Sequence, residues 1–137
     1  MIKLIVGKKG SGKTKRLITM TNEAVASSSG NVVCLEKGLK LTYDITHKAR
    51  LVDTDEYGVS GFEMLYGFIA GLMAGNYDIT HIFIDSSLKI GNNDIPGFVS
   101  MVEKLSKLAS ASTVDLIFTV SCDIAELPET LVPMILL

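Results

Sequence analysis

Apolar residues fall along this chain in two alternating rhythms. Residues 2–6, 31–35, 81–84 and 116–120 are short runs dominated by Val, Ile, Leu and Phe, the pattern of strands buried on both faces. Between them, apolar positions recur at spacings of three and four. Leu17, Ile18, Met20 and Val25 do so in 13–26; Phe62, Leu65, Tyr66, Ile69, Leu72 and Met73 in 59–74; Phe98, Val99, Val102, Leu105 and Leu108 in 96–109. That period predicts three helices, each with an apolar stripe. Gly67 and Gly71 interrupt the second and predict close packing on a neighbour. The polar stretch 27–30 ends the first helix. Residues 38–44 read as a loop or short helical turn, and 49–52 as a brief strand before the acidic cluster Asp53, Asp55 and Glu56. Residues 125–127 read as the start of a turn and 134–137 as a last strand. Apolar strands separated by helices predict an α/β three-layer sandwich with a mostly parallel sheet and right-handed crossovers.

The 137 residues suit one domain, because chains divide into separate cores only at greater length. A hydrophobic content of 47% with 20% charged residues excludes intrinsic disorder. The net charge of −2 lacks the basic excess of a protein that coats nucleic acid, so nucleic-acid binding is not supported. The charge is uneven, however: residues 1–50 hold ten basic and three acidic groups, and the remainder three basic and twelve acidic. An anionic ligand is therefore expected at the first third. Cys34 and Cys122 lie in apolar runs without ligand spacing and read as buried thiols of a reducing compartment. The opening run is too short for a signal peptide, and the longest apolar stretch, 64–74, is well under the ~20 residues of a membrane span. A soluble, cytoplasmic protein with no membrane span is the expectation.

Between the first strand and first helix stands Gly7-Lys8-Lys9-Gly10-Ser11-Gly12-Lys13-Thr14, which fits G-x-x-x-x-G-K-[ST] without a mismatch and in the strand–loop–helix context that the motif needs. Glycines there allow the backbone to curl so that its N–H groups point at phosphate oxygens, and the helix start adds the positive end of its dipole. Lys13 is placed to neutralise β- and γ-phosphates and Thr14 to bind Mg²⁺. Lys8, Lys9 and Lys15 flank the loop within the nucleotide-binding set, and with Arg16 they account for the basic first third.

These first 36 residues resemble the opening of a P-loop nucleoside triphosphatase, whose fold is a parallel sheet between helices. The resemblance implies a second motif, an apolar strand ending in an acid, and residues 81–85 match it, with Asp85 placed to hold a Mg²⁺-bound water. Ser86 and Ser87 follow, so no glutamate stands beside Asp85 to orient an attacking water. In this respect the chain resembles the RecA and KaiC branch, in which the water-activating glutamate ends the strand after the phosphate-loop helix. Glu36 ends that strand here and is either this catalytic base or a surface glutamate at a strand end. The branch also implies a polar sensor at the tip of the strand following the second motif; Ser121 occupies it, with Thr119 the poorer candidate. The chain lacks the length and the DNA-binding loops of RecA-like cores.

The expected function is a Mg²⁺-dependent ATP- or ADP-binding protein, a slow ATPase acting as switch or motor module in an assembly, with Glu36 and Lys13 as its catalytic residues. A homo-oligomer or a protein partner is compatible with it. Two alternatives stay open: a non-catalytic nucleotide-sensing module, and a small-molecule P-loop kinase. The kinase reading lacks the usual arginine-bearing lid, since the only arginines are Arg16 and Arg50. An arginine acting across a subunit interface has to be Arg50, with Lys48 a weaker substitute. No N-K-x-D motif follows the last apolar strand, which favours adenine over guanine by absence. His47 and His81 have no ligand partners in sequence and read as structural.

Overall fold

The apolar runs, together with the segment after Ala49, form five strands: β1 (Ile2–Gly7), β2 (Asn31–Glu36), β3 (Arg50–Asp53), β4 (Ile79–Ile84) and β5 (Asp115–Ser121). The computed structural model describes residues 1–136. All neighbouring strands are parallel, in the order β1-β5-β4-β2-β3. Helices α1 (Lys13–Ser27), α2 (Phe62–Gly75), α3 (Ser87–Ile90) and α4 (Ile95–Ser110) complete the α/β sandwich.

Successive side chains of a strand point to opposite faces, and that period divides the core in two. Leu4, Val33, Leu35, Ile82, Ile84, Leu116 and Phe118 face α2 and α4, where they meet Leu65, Ile69, Phe98 and Val102. Ile5, Val32, Cys34, Phe83 and Ile117 face the other way, onto Leu17 and Ala24 of α1 and onto Leu41, Ile45 and Ala49 of the segment before β3. Edge-to-face contacts of Phe98 with Phe62 (5.6 Å) and with Phe118 (5.9 Å) tie α4 to both α2 and the sheet. Each buried phenylalanine contributes about 1.5–3 kcal/mol through burial. No helix among the described residues is long and apolar enough to cross a membrane.

Two expectations are corrected. Gly67 and Gly71 do not pack closely: they lie on the exposed side of α2, and a Cβ at either would meet nothing within 4 Å. Their spacing of four puts them on the face opposite Phe62, Leu65 and Ile69, which enter the core. Residues 134–136 form no full strand, because a 3₁₀ helix runs over Glu129–Met134 around Pro133. Only Ile135 bridges to Leu4, and the Leu136 N–H donates to the Leu4 carbonyl (2.8 Å), covering part of the free edge of β1. Leu137, the end of that expected strand, lies outside the described residues. Helix α3 has no counterpart in the sequence reading, since four residues are too few to show a helical period.

Candidate functional site

The ends of all five strands meet at one edge of the sheet. Gly7 of β1 lies beside Ser121 of β5, Glu36 of β2 beside Asp53 of β3, and Asp85 follows directly on β4. The carboxyl edge of an open parallel sheet is where groups from separate strands converge on a ligand.

The loop from Gly7 to Gly12 turns β1 into α1. Gly10 and Gly12 both hold φ near 84°, a left-handed conformation that costs a residue with a Cβ about 1–2 kcal/mol. Gly7 instead leaves room for Ser11: a Cβ there would stand 2.5 Å from Ser11 Oγ and 3.2 Å from its Cβ, so Ser11 would have to shift. The Arg16 N–H makes the first helical bond, to the Gly12 carbonyl (3.1 Å), leaving the N–H groups of Lys13, Thr14 and Lys15 without helical acceptors. Gly12 caps α1 without a side chain and no acid of the helix itself occupies its first turn, so no residue of α1 offsets the positive end of this 15-residue helix. Lys13 is only 8% exposed; its ammonium donates to the Lys8 carbonyl (2.8 Å) and to Ser11 Oγ (3.3 Å). Burial pushes its pKa down, opposed by the Asp85 and Cys122 charges.

Asp85, also buried, is the hub of a hydroxyl network. Thr14 Oγ1 donates to its two carboxylate oxygens (3.1 and 3.3 Å), Thr119 Oγ1 to Oδ1 (2.8 Å) and Ser86 Oγ to Oδ2 (3.3 Å). Thr119 Oγ1 accepts in turn from the Ser86 N–H (2.7 Å), and Ser87 Oγ donates to the Thr119 carbonyl (2.7 Å). A hydroxyl beside a carboxylate is an all-oxygen donor pair suited to a hard divalent cation that keeps several waters. Among the described residues no cluster of three or more His, Cys, Asp or Glu side chains is arranged to hold a metal ion. His81 is engaged structurally: its ring stacks on Phe83 (5.9 Å), Nδ1 meets Thr80 Oγ1 (2.8 Å), and Nε2 lies 3.8 Å from Asp115.

Glu36 is not a surface glutamate. It is 3% exposed, and its carboxylate accepts from the N–H groups of Lys40 (2.8 Å) and Leu41 (3.2 Å), holding the turn after β2. Burial pushes its pKa up; the two N–H donors pull it down, and Asp85 and Asp53 add to the rise. In the acidic cluster, Asp53 accepts from the Gly38 N–H (2.8 Å) and Asp55 pairs with Lys37 (2.7 Å).

Two clefts flank this network. One, of about 620 Å³, is lined by Lys9, Gly10, Gly12, Lys13, Thr14, Lys15, Thr119 and Ser121 together with Ser86, Leu88, Lys89 and Asn93. The other, of about 410 Å³, is lined by Glu36, Asp85 and Thr14 with the lysines 37, 40 and 89. Thus the loop lysines, Thr14, Asp85, Glu36 and Ser121 share one region, while Gly7, Ser11 and the Lys8 carbonyl frame the loop from behind. Arg50 lies outside both clefts and donates to the Tyr57 hydroxyl (3.5 Å). A larger groove of about 900 Å³, between the far ends of α2 and α4, contains no carboxylate, ammonium or imidazole. Sequence reasoning missed Thr119 as the support of Asp85, and it took Ser86 and Ser87 only as the absence of a glutamate. The available signal was a hydroxyl at an inward position of an otherwise apolar strand, since a buried hydroxyl needs a partner. No protein-family model matches this chain, and comparison with curated proteins found no match.

Proposed function

We propose that this chain is a Mg²⁺-dependent ATP-binding protein of P-loop nucleoside triphosphatase type, a slow ATPase that serves as switch or motor module in an assembly. The observation that carries the reading is the meeting of Thr14 with Asp85, 3.1 Å apart at the mouth of a glycine loop. Each stands at a position that the sequence singles out separately, and their meeting supports a joint use on a cation and a phosphate tail.

In this reading the unpartnered N–H groups of Lys13, Thr14 and Lys15 receive phosphate oxygens. Lys13 exchanges its neutral acceptors, the Lys8 carbonyl and Ser11 Oγ, for charged ones, which makes stronger hydrogen bonds. Thr14 and Asp85 would hold Mg²⁺, which when bound neutralises phosphate charge and fixes the orientation of the phosphate oxygens. Thr119 and Ser86 keep the Asp85 carboxylate in one orientation, as second partners of a metal ligand do. Glu36 is the candidate base. Its oxygens each retain a lone pair beyond the one facing a backbone N–H, and its raised proton affinity suits removal of a proton from water. The adenine preference rests on the missing guanine motif.

A non-catalytic nucleotide-sensing module is favoured by one observation: Glu36 is already engaged in holding the turn at Lys40 and Leu41. The two readings separate in one series. Titration calorimetry with ATP, ADP and GTP, with and without Mg²⁺, followed by a turnover assay on wild type and Glu36→Gln, is expected to give Mg²⁺-dependent ATP binding in both proteins and turnover in the wild type alone. Binding without turnover in either protein selects the sensing module; no binding of any nucleotide refutes both.

A further inference from the structure

Lys89 stands where the two clefts join. Three residues line both the phosphate-loop cleft and the Glu36 cleft, namely Thr14, Ser86 and Lys89, and Lys89 alone among them carries a charge. Its side chain is exposed, and it has no ion-pair partner among the described residues. It is one of only three basic residues beyond Arg50, and Lys104 and Lys107 lie on α4, outside both clefts.

The backbone that presents Lys89 is unusual for this chain. Among the described residues, the non-glycine positions with positive φ are Ser86 (53°), Asn92 (58°) and Asn93 (59°), and all three bracket α3. Strained backbone persists where surrounding contacts over-determine it, and it concentrates at ligand sites. Those contacts are present. The Ser86 N–H is held by Thr119 Oγ1, Ser87 Oγ is bound to the Thr119 carbonyl, and Leu88 and Ile90 are buried in the core. One threonine of β5 therefore anchors both the Asp85 carboxylate and the segment that carries Lys89.

In the nucleotide reading above, a triphosphate seated in the loop against Lys13 would direct its terminal phosphate toward Thr14 and Asp85, which line the Glu36 cleft together with Lys89. We propose that Lys89 is the catalytic cation that contacts this terminal phosphate from within the same chain, so that the site distinguishes a nucleoside triphosphate from a diphosphate without an arginine from a partner. The inference rests on the nucleotide reading above. An ammonium at that position offers a charge-assisted hydrogen bond to the one phosphate that a diphosphate lacks, at the place where charge develops during hydrolysis.

The test is calorimetric titration of the full chain with Mg²⁺ and either a non-hydrolysable ATP analogue or ADP, comparing wild type, Lys89→Ala, Lys89→Gln and Lys89→Arg. Loss of one charge-assisted hydrogen bond is expected to weaken the triphosphate by roughly tenfold or more in the Ala and Gln variants, leave ADP within about twofold, and be largely restored by Arg. Wild-type binding of both nucleotides with equal losses in the variants, or with no loss, overturns the role of Lys89 and leaves the nucleotide reading standing. A wild type that binds neither nucleotide overturns both. The Gln variant keeps the first two methylenes of the stem and a polar end without charge, so a loss confined to Ala marks packing and also overturns the proposal.

Discussion

Thr14 in the first turn of α1 and Asp85 at the end of β4, 71 positions apart in the chain, are joined by hydrogen bonds of 3.1 and 3.3 Å. β5 and β4 lie between β1 and β2, so α1, which connects β1 to β2, crosses both and packs on them. Asp85→Asn replaces an acceptor-only group with one that presents an N–H₂ to three hydroxyl donors. The expected outcome is that ATP affinity measured with Mg²⁺ falls to the value measured with a chelator. Urea denaturation should register a loss of about 1–3 kcal/mol for the mispaired hydroxyls.

Thr119→Val keeps the shape of the side chain and removes its hydroxyl. The Ser86 N–H loses its acceptor and Asp85 its shortest donor, so stability is expected to fall by about 1–3 kcal/mol. Mg²⁺ dependence should weaken alongside it, because the carboxylate is free to turn. Thr119→Ser retains the hydroxyl and is expected to recover the Mg²⁺ dependence; chemical denaturation and titration of the two variants check this.

Lys13→Met is expected to separate stability from function. Burial lowers the Lys13 pKa, so the folded chain disfavours its charge, and the associated stability is present only above the unfolded pKa, lost as pH falls through the folded one. At neutral pH the charged form therefore costs the fold relative to the neutral one, offset in part by the hydrogen bonds to the Lys8 carbonyl and Ser11 Oγ. The variant is expected to melt at or above the wild-type temperature while losing nucleotide binding, an exchange common at functional sites.

Glu36 is expected to leave a pH signature. Its folded pKa is raised, chiefly by burial, so its contribution is fully present below the unfolded value and is lost as pH rises through the folded one. Glu36→Gln abolishes that titration but also replaces one acceptor facing Leu41. Melting curves from pH 4 to 8 are expected to favour the variant increasingly as pH rises. A constant difference across the range would remove the account of a buried, charged Glu36.

Much of the site is legible along the chain because its first half is local. The loop from Gly7 to Thr14 needs glycines where φ is positive and a lysine and a hydroxyl at fixed offsets from a helix start, all within eight neighbouring positions. The strand ending in Asp85 is equally local. Glu36 was readable as a strand end, but its burial was not, since that depends on Lys40 and Leu41 folding back over it. Gly67 and Gly71 misled because spacing alone does not say which stripe of an almost wholly apolar helix turns inward; Leu65 and Ile69 fill the core and leave the glycines outside.

From its residues alone this chain determines the alternation of strands and helices, two apolar faces on each central strand, and a glycine-rich loop between the first strand and the first helix. Those properties follow from periodicity and backbone stereochemistry, which act over a few residues. The order β1-β5-β4-β2-β3 was decided only in three dimensions, and with it the support of Asp85 by Thr119, the sealing of Glu36 beneath its turn and the seat of Lys89 between two clefts. Strand order is set by which faces bury best against α1, α2 and α4 together, a sum over the whole core that no single segment encodes.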